Sequence, residues 1–154
     1  PPSVADMIVQ PTEPNLEPKI LFSALPTAEA RELEPKFAHA GYIVLTNASP
    51  YRMDPCVPLL IPEVNPDHTA IIPRQKEVYG WEGWIVANAN CSTTSIVLPL
   101  QILHQTYGVE TAVITTLQAI SGAGYPGVPS MDIMDNVIPY MGGEDGKLET
   151  EPRK

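Results

Sequence analysis

Cys91 stands in NANCSTTSIVLPL, residues 88–100, with Asn90 before it, Ser92, Thr93 and Thr94 after it, and an apolar run beyond. A thiolate is the nucleophilic form of cysteine and attacks carbonyl carbon readily. The carboxamide of Asn90 could donate to the oxyanion that such an attack develops. The competing reading is a buried, inert thiol, the commoner fate of a lone cysteine. The polar neighbours of Cys91 argue against it. The other cysteine, Cys56, lies between prolines in DPCVP. His39, His68 and His104 are scattered, so neither thiol has partners at metal-ligand spacing and no metal site is expected.

Three further places could do chemistry. Arg52 lies in TNASPYRMD, where a guanidinium suits a phosphate or carboxylate; the alternative is an ordinary pairing with Asp54. Gln118 ends an apolar stretch and could orient a substrate amide, amine or carboxylate. SGAG, residues 121–124, lets backbone approach a flat ring or a phosphate, unless it is simply a loop. An acid–base partner for Cys91 is not evident. His104 would lie roughly 20 Å down a continuous helix rising about 1.5 Å per residue. His68 follows an Asn-Pro-Asp turn.

The elements that must position these residues follow from pattern. KILFSALP, residues 19–26, predicts a strand buried on both faces, and DMIV, residues 6–9, a short one. TAEARELEPKFAHAG predicts a helix capped by Thr27, with Ala30, Leu33 and Phe37 inward, broken or kinked at Pro35 and closed by Gly41. YIVLTNAS is a second buried strand, and strand–helix–strand is one crossover of a parallel sheet. PCVPLLIPEVNPDH reads as extended and WIVANAN as a third strand. Ligands of such sheets sit beyond the carboxyl ends of the strands, where SALP, TNASPYR and Cys91 would all arrive. From Ser92 to Gly108 the period becomes helical, with Ile96, Leu100 and Leu103 on one face and Pro99 as the objection. A helix start would give the thiolate free N–H groups and a favourable dipole. VETAVITTLQAI predicts a strand, MDIMDNVIPY a helix or helical turn, and GGEDGKLETEPRK is polar and ends without a terminating element.

The totals exclude some partners. The 154 residues carry a net charge of -9 and a pI near 4.6, which repels nucleic acid at long range. No run of about 20 apolar residues is present, so no bilayer-spanning helix is expected. Two unpaired-looking cysteines suit a reducing, intracellular setting.

WIVANANCSTTSIVLPL, residues 84–100, taken with VITTLQAISGAGYPGVPSMDIMDNVIPY, residues 113–140, resembles aspartate-semialdehyde dehydrogenases, in their fungal and archaeal-like branch. FSALP, TNASPYRMDPCVPLLIPEVNPDH and GGEDGKLETE fit the same branch. The resemblance runs through nearly the whole chain and is weakest in the first 18 residues. It implies an α/β fold: part of a Rossmann-type NADP-binding domain over residues 1–90, then the start of an α+β catalytic and dimerisation domain over residues 91–154. It implies NADP-dependent interconversion of L-4-aspartyl phosphate and L-aspartate 4-semialdehyde with release or uptake of phosphate, through a cysteine thioester. It makes Cys91 the nucleophile, Asn90 its neighbouring amide, Gln118 the substrate-orienting residue and Arg52 the phosphate ligand. Ser23, Ala24 and Leu25, with Ser121, Gly122 and Ala123, would meet the cofactor. A cytoplasmic homodimer or homotetramer is implied, with no nucleic acid and no membrane.

Departures from the family pattern carry expectations of their own. No glycine precedes Gly41, so the family's glycine-rich phosphate turn is not among these residues. Its catalytic histidine and carboxylate-binding arginine are expected downstream. The 154 residues are therefore expected to be an interior piece that alone neither binds NADPH tightly nor turns over semialdehyde. Malonyl-CoA reductase remains an alternative, as does a non-catalytic piece of the fold. N-acetyl-glutamyl-phosphate reductase would present Gly-Cys-Tyr, and glyceraldehyde-phosphate dehydrogenase SCTTNC, whereas Ser95 stands four residues after Cys91.

Overall fold

The computed structural model describes residues 2–154. They fall into two compact units, the first ending at Ala89 and the second spanning Asn90–Lys154. The first holds α1 (Pro2–Ala5), β1 (Ile20–Ser23), α2 (Thr27–His39), β2 (Ile43–Thr46), β3 (Leu59–Leu60), a 3-10 turn (Pro66–Ile71) leading into α3 (Ile72–Tyr79), and β4 (Trp84–Asn88). The strands form a parallel sheet in the order β1-β2-β4-β3, an α/β arrangement of Rossmann type. Ile20 pairs with Ile43 and Ser23 with Thr46, while Thr46 pairs with Ala87 on the other side. This register brings the carboxyl ends of β1, β2 and β4 level on one rim.

The core lies where α2 and α3 cover β2 and β4. Ala30, Ala38, Tyr42, Ile85 and Ala87 have no exposure, and Val44 has almost none. Gln75 of α3 is also fully buried; its Oε1 accepts the Ile85 N–H at 2.7 Å, and its Nε2 donates to Cys56 O and Ile85 O at 3.0 Å. One amide thus satisfies backbone groups that a protein interior cannot leave bare. Gly83 has a steric reason to be glycine. A Cβ there would meet Tyr42 O at 2.0 Å.

Several expectations are corrected here. β1 is not buried on both faces: it is an edge strand of this sheet, and Phe22 is 85% exposed. Residues 6–9 form no strand. Pro26, not Thr27, occupies the N-cap of α2, and the helix runs through Pro35 to His39. α3 arises in a stretch, between PCVPLLIPEVNPDH and WIVANAN, for which the sequence pattern predicted no element; it starts with Pro73 in its first turn and ends at Gly80 in the left-handed region, φ 67°.

The second unit holds α4 (Cys91–Tyr107), a 3-10 turn (Ile120–Ala123), α5 (Ser130–Ile133), α6 (Glu144–Thr150) and a last 3-10 turn (Glu151–Arg153). α4 continues through Pro99 and stops at Gly108, φ 72°. The strand expected over residues 109–120 does not form, and Val113 and Leu117 are more than 90% exposed. A strand needs a neighbour for its N–H and C=O groups, and among the described residues this stretch has none. The polar stretch from residue 142, for which no element was expected, holds α6 over Glu144–Thr150: Glu144 and Asp145 occupy its first turn and Lys147 its last, favourable at the respective ends of the helix dipole. No helix among the described residues is long and apolar enough to cross a membrane.

Candidate active site

Cys91 is the first residue of α4, and Asn90 is its N-cap. The Asn90 Oδ1 accepts the N–H of Ser92 at 2.9 Å and of Thr93 at 3.4 Å. Such a cap serves N–H groups that have no helical acceptor. The rest of Asn90 is held just as firmly. Its backbone N–H donates to Glu151 Oε2 at 2.7 Å, and its Nδ2 donates to Glu144 Oε2 at 3.3 Å. The amide foreseen as an oxyanion donor therefore has one bond directed to Glu144, and its oxygen is committed to the cap.

Gln118 reaches the same group of residues from the extended stretch after α4. Its Nε2 donates to Ser92 Oγ at 3.1 Å and to Glu144 Oε2 at 3.2 Å. Lys147 donates to the other oxygen of Glu144. These bonds hold the Glu144 carboxyl below its ordinary range, chiefly through Lys147 and then through Gln118 and Asn90, against an opposing effect of burial. Cys91 is exposed, and it lines a cavity of about 310 Å³ with Ser92, Ser95, Ile96, Thr116, Leu117 and Gln118. Ser121, Gly122 and Ala123 lie exposed in the 3-10 turn that follows. A Cβ on Gly122 would sit 3.6 Å from Gln118 Oε1, so this turn packs closely against the glutamine.

The remaining candidates belong to the first unit. Ser23 and Ala24 line a cavity of about 430 Å³ formed by the carboxyl ends of all four strands, with Asn47, Leu60 and Asn88 among its walls. Asn88 Nδ2 donates to Asn47 Oδ1 at 3.1 Å across this rim. The walls are mostly apolar side chains with a few amides and hydroxyls, which suits a flat heteroaromatic ring and a sugar. They offer no glycine-rich cradle for a pyrophosphate, so the fit extends to one end of a dinucleotide. Ser23 and Ala24 also line a second cavity of about 540 Å³, with Leu25 and Glu34, between the N-terminal segment, β1 and α2. Arg52 is buried, and its Nη2 donates to Asn47 O at 2.7 Å. Its loop is pinned by Asp54, which accepts the Cys56 N–H at 2.8 Å and the Tyr79 hydroxyl at 2.6 Å. Cys56 is buried. His104 is exposed near the end of α4, its Nδ1 3.2 Å from Val109 O, and His68 Nδ1 lies 2.9 Å from Leu59 O.

Sequence reasoning passed over Glu144, Lys147 and Glu151. A signal was available: acids after a glycine pair, with a lysine three residues beyond Glu144, mark a helix start with an i,i+3 ion pair. Glu144 and Lys147 thus place an ion pair beside Gln118, with one carboxyl oxygen on the glutamine amide and the other on the ammonium.

Two family models match the chain: semialdehyde dehydrogenase, NAD binding domain, over residues 1–72, and semialdehyde dehydrogenase, dimerisation domain, over residues 100–154. The chain is 52% identical to aspartate-semialdehyde dehydrogenase of Archaeoglobus fulgidus over 99% of its own length and 45% of that protein. It is 40% identical to malonyl CoA reductase (NADP) of Metallosphaera sedula, over 98% of the chain and 43% of the relative. The crystal structure of aspartate semialdehyde dehydrogenase with NADP from Candida albicans superposes with a TM-score of 0.81 at 39% identity, covering 100% of this chain and 44% of that one. The chain thus spans less than half the length of these relatives.

Proposed function

The chain belongs to the aspartate-semialdehyde dehydrogenase family, and from that premise we propose that the whole protein carries out NADP-dependent reductive dephosphorylation of L-4-aspartyl phosphate to L-aspartate 4-semialdehyde, in the biosynthesis of threonine, methionine and lysine. The observation that carries this reading is the exposed Cys91 at a capped helix start, sharing one cavity with Gln118. The Cys91 sulfur attacks the acyl carbon, the bond to the phosphate oxygen breaks, and phosphate leaves with its electron pair. A thioester on Cys91 remains. NADPH, when bound, supplies the hydride that takes this thioester to the aldehyde level. Cys91 then departs as thiolate, so one sulfur serves as nucleophile and leaving group.

The other residues take supporting parts in this proposal. Asn90 holds the first turn of α4 in place and offers its second amide proton to the developing oxyanion. Gln118, its amide nitrogen engaged by Ser92 and Glu144, turns its oxygen to the substrate's ammonium. Arg52 takes the phosphate. Ser23, Ala24 and Leu25, with Ser121, Gly122 and Ala123, meet NADP, the cofactor bound by the Candida albicans relative. A match to a dimerisation domain supports a homodimer or homotetramer, which we place in the cytoplasm.

Likeness to the Metallosphaera sedula enzyme gives a second reading, reduction of malonyl-CoA through the same cysteine. The full-length protein should reduce NADP with semialdehyde and phosphate and leave NADPH unoxidised with malonyl-CoA. The opposite pattern would establish the second reading, and inactivity with both would remove the first.

A further inference from the structure

Behind the rim of the first unit lies a buried carboxylate with a specific pair of donors. Glu34, on the inner face of α2, is 2% exposed. Its Oε1 accepts the Ser23 hydroxyl at 2.6 Å and the Thr46 hydroxyl at 2.5 Å. Thr46 Oγ1 in turn accepts the Ala48 N–H at 3.0 Å. A hydroxyl has one proton to donate and two lone pairs to accept with. Ser23 spends its proton on Glu34, so only lone pairs remain for either of the two cavities it lines. Thr46, its partner in register on β2, spends its proton in the same way and is buried.

We infer that Glu34 is a positioning residue that turns Ser23 into a pure hydrogen-bond acceptor at the cofactor rim. The group taken there is an N–H or O–H donor of the dinucleotide, a ribose hydroxyl or a carboxamide, and not one of its phosphates. Two effects act in the same direction. The carboxylate polarises the Ser23 oxygen, which strengthens a bond from a donor. Its charge also opposes a phosphate at this place in a partly dehydrated setting. Glu34 Oε2 is buried without a hydrogen-bond partner. Burial of a carboxylate with an unserved oxygen is costly, and a clamp between helix and strands alone could have used a neutral group.

This inference rests on the proposed use of NADP, and its test separates the two. NADPH binding to the full-length protein is followed by fluorescence titration, with no semialdehyde present, for the wild type, Ser23→Ala, Glu34→Gln and the double variant. Ser23→Ala should weaken binding about tenfold, the loss expected for one polarised hydrogen bond. Glu34→Gln should weaken it as well, and the double variant should bind no more weakly than the worse single one, because Glu34 acts through Ser23. Glu34→Asp, which keeps the charge but withdraws it from Ser23, replaces Glu34→Gln in the cycle if that variant does not fold. Wild-type affinity in Ser23→Ala, or losses that multiply in the double variant, would overturn the inference alone. A wild type that binds no NADPH would overturn both it and the cofactor reading beneath it.

Discussion

Tyr51 donates its hydroxyl to the backbone carbonyl of Arg31 at 2.7 Å. That carbonyl is the one Pro35 leaves unserved, since a proline four residues on has no N–H to give. The bond explains why α2 passes through Pro35 unbroken, and it ties the loop carrying Arg52 to the helix. Tyr51→Phe should cost about 1 kcal/mol, a typical net hydrogen bond. Pro35→Ala restores the internal helical donor, so in that background the same Tyr51→Phe change should cost almost nothing. Urea unfolding of the four proteins measures the coupling. Equal losses in both backgrounds would show that Tyr51 does not serve the proline gap.

Tyr79 anchors the other side of the same loop through Asp54. Burial, and then the bond to the Asp54 carboxylate, raise its pKa above the usual 10. Tyr51 is raised too, by burial first and then by the charge of Glu34. The folded state therefore keeps these protons at a pH where the unfolded chain loses them. Their contribution is complete below about pH 10 and falls as pH rises beyond it. Wild-type stability should drop between pH 8 and pH 11, and Tyr79→Phe should show a smaller drop. An identical slope in the variant would mean that Tyr79 titrates as it does in the unfolded chain.

The two cysteines should separate cleanly by reactivity. Cys91 is exposed at a helix start, while Cys56 is buried behind the Asp54 turn. Iodoacetamide at neutral pH should label Cys91 at least tenfold faster, because the reagent reaches Cys91 and not the buried Cys56. In the full-length enzyme Cys91→Ala should abolish semialdehyde oxidation and Cys56→Ala should largely preserve it. Peptide mapping after timed alkylation and steady-state rates give the two readouts. Preferential labelling of Cys56 would remove the structural basis for the nucleophile.

Local pattern made much of this molecule legible. The crossover from β1 through α2 to β2, the strand before Cys91 and the helix ending at Gly108 all follow from periodicity and one glycine. What stayed hidden depends on neighbours that a segment cannot name. Ile20 and Phe22 read as core because they are apolar, yet their strand lies at a sheet edge. VETAV alternates like a strand and finds nothing to pair with among the described residues. Glu34 and Glu144 look like solvated helix charges; their roles appear only when Ser23, Thr46, Asn90 and Gln118 converge on them from 11 to 54 residues away.

Glu144 gives the second unit an acid-sensitive joint. One carboxyl oxygen accepts from both Asn90 and Gln118, and the other from Lys147. Since these bonds lower its pKa below the usual 4.5, the folded state holds the anion where the unfolded chain has begun to take up a proton. The stability it contributes is present above that usual value and is lost as pH falls through the folded one. Protonation weakens the bonds from the two amides, and with them the grip on the cap of α4 and on Gln118. Lowering the pH from 6 to 3 should therefore loosen this group in the wild type, raising the rate at which Cys91 is labelled by a disulfide reagent that does not need the thiolate-rich range, such as a dipyridyl disulfide. Glu144→Gln keeps the shape and removes the titration, so its labelling rate should change less over the same interval. A wild type and a variant with the same pH dependence would leave Glu144 with no part in setting the geometry beside Cys91.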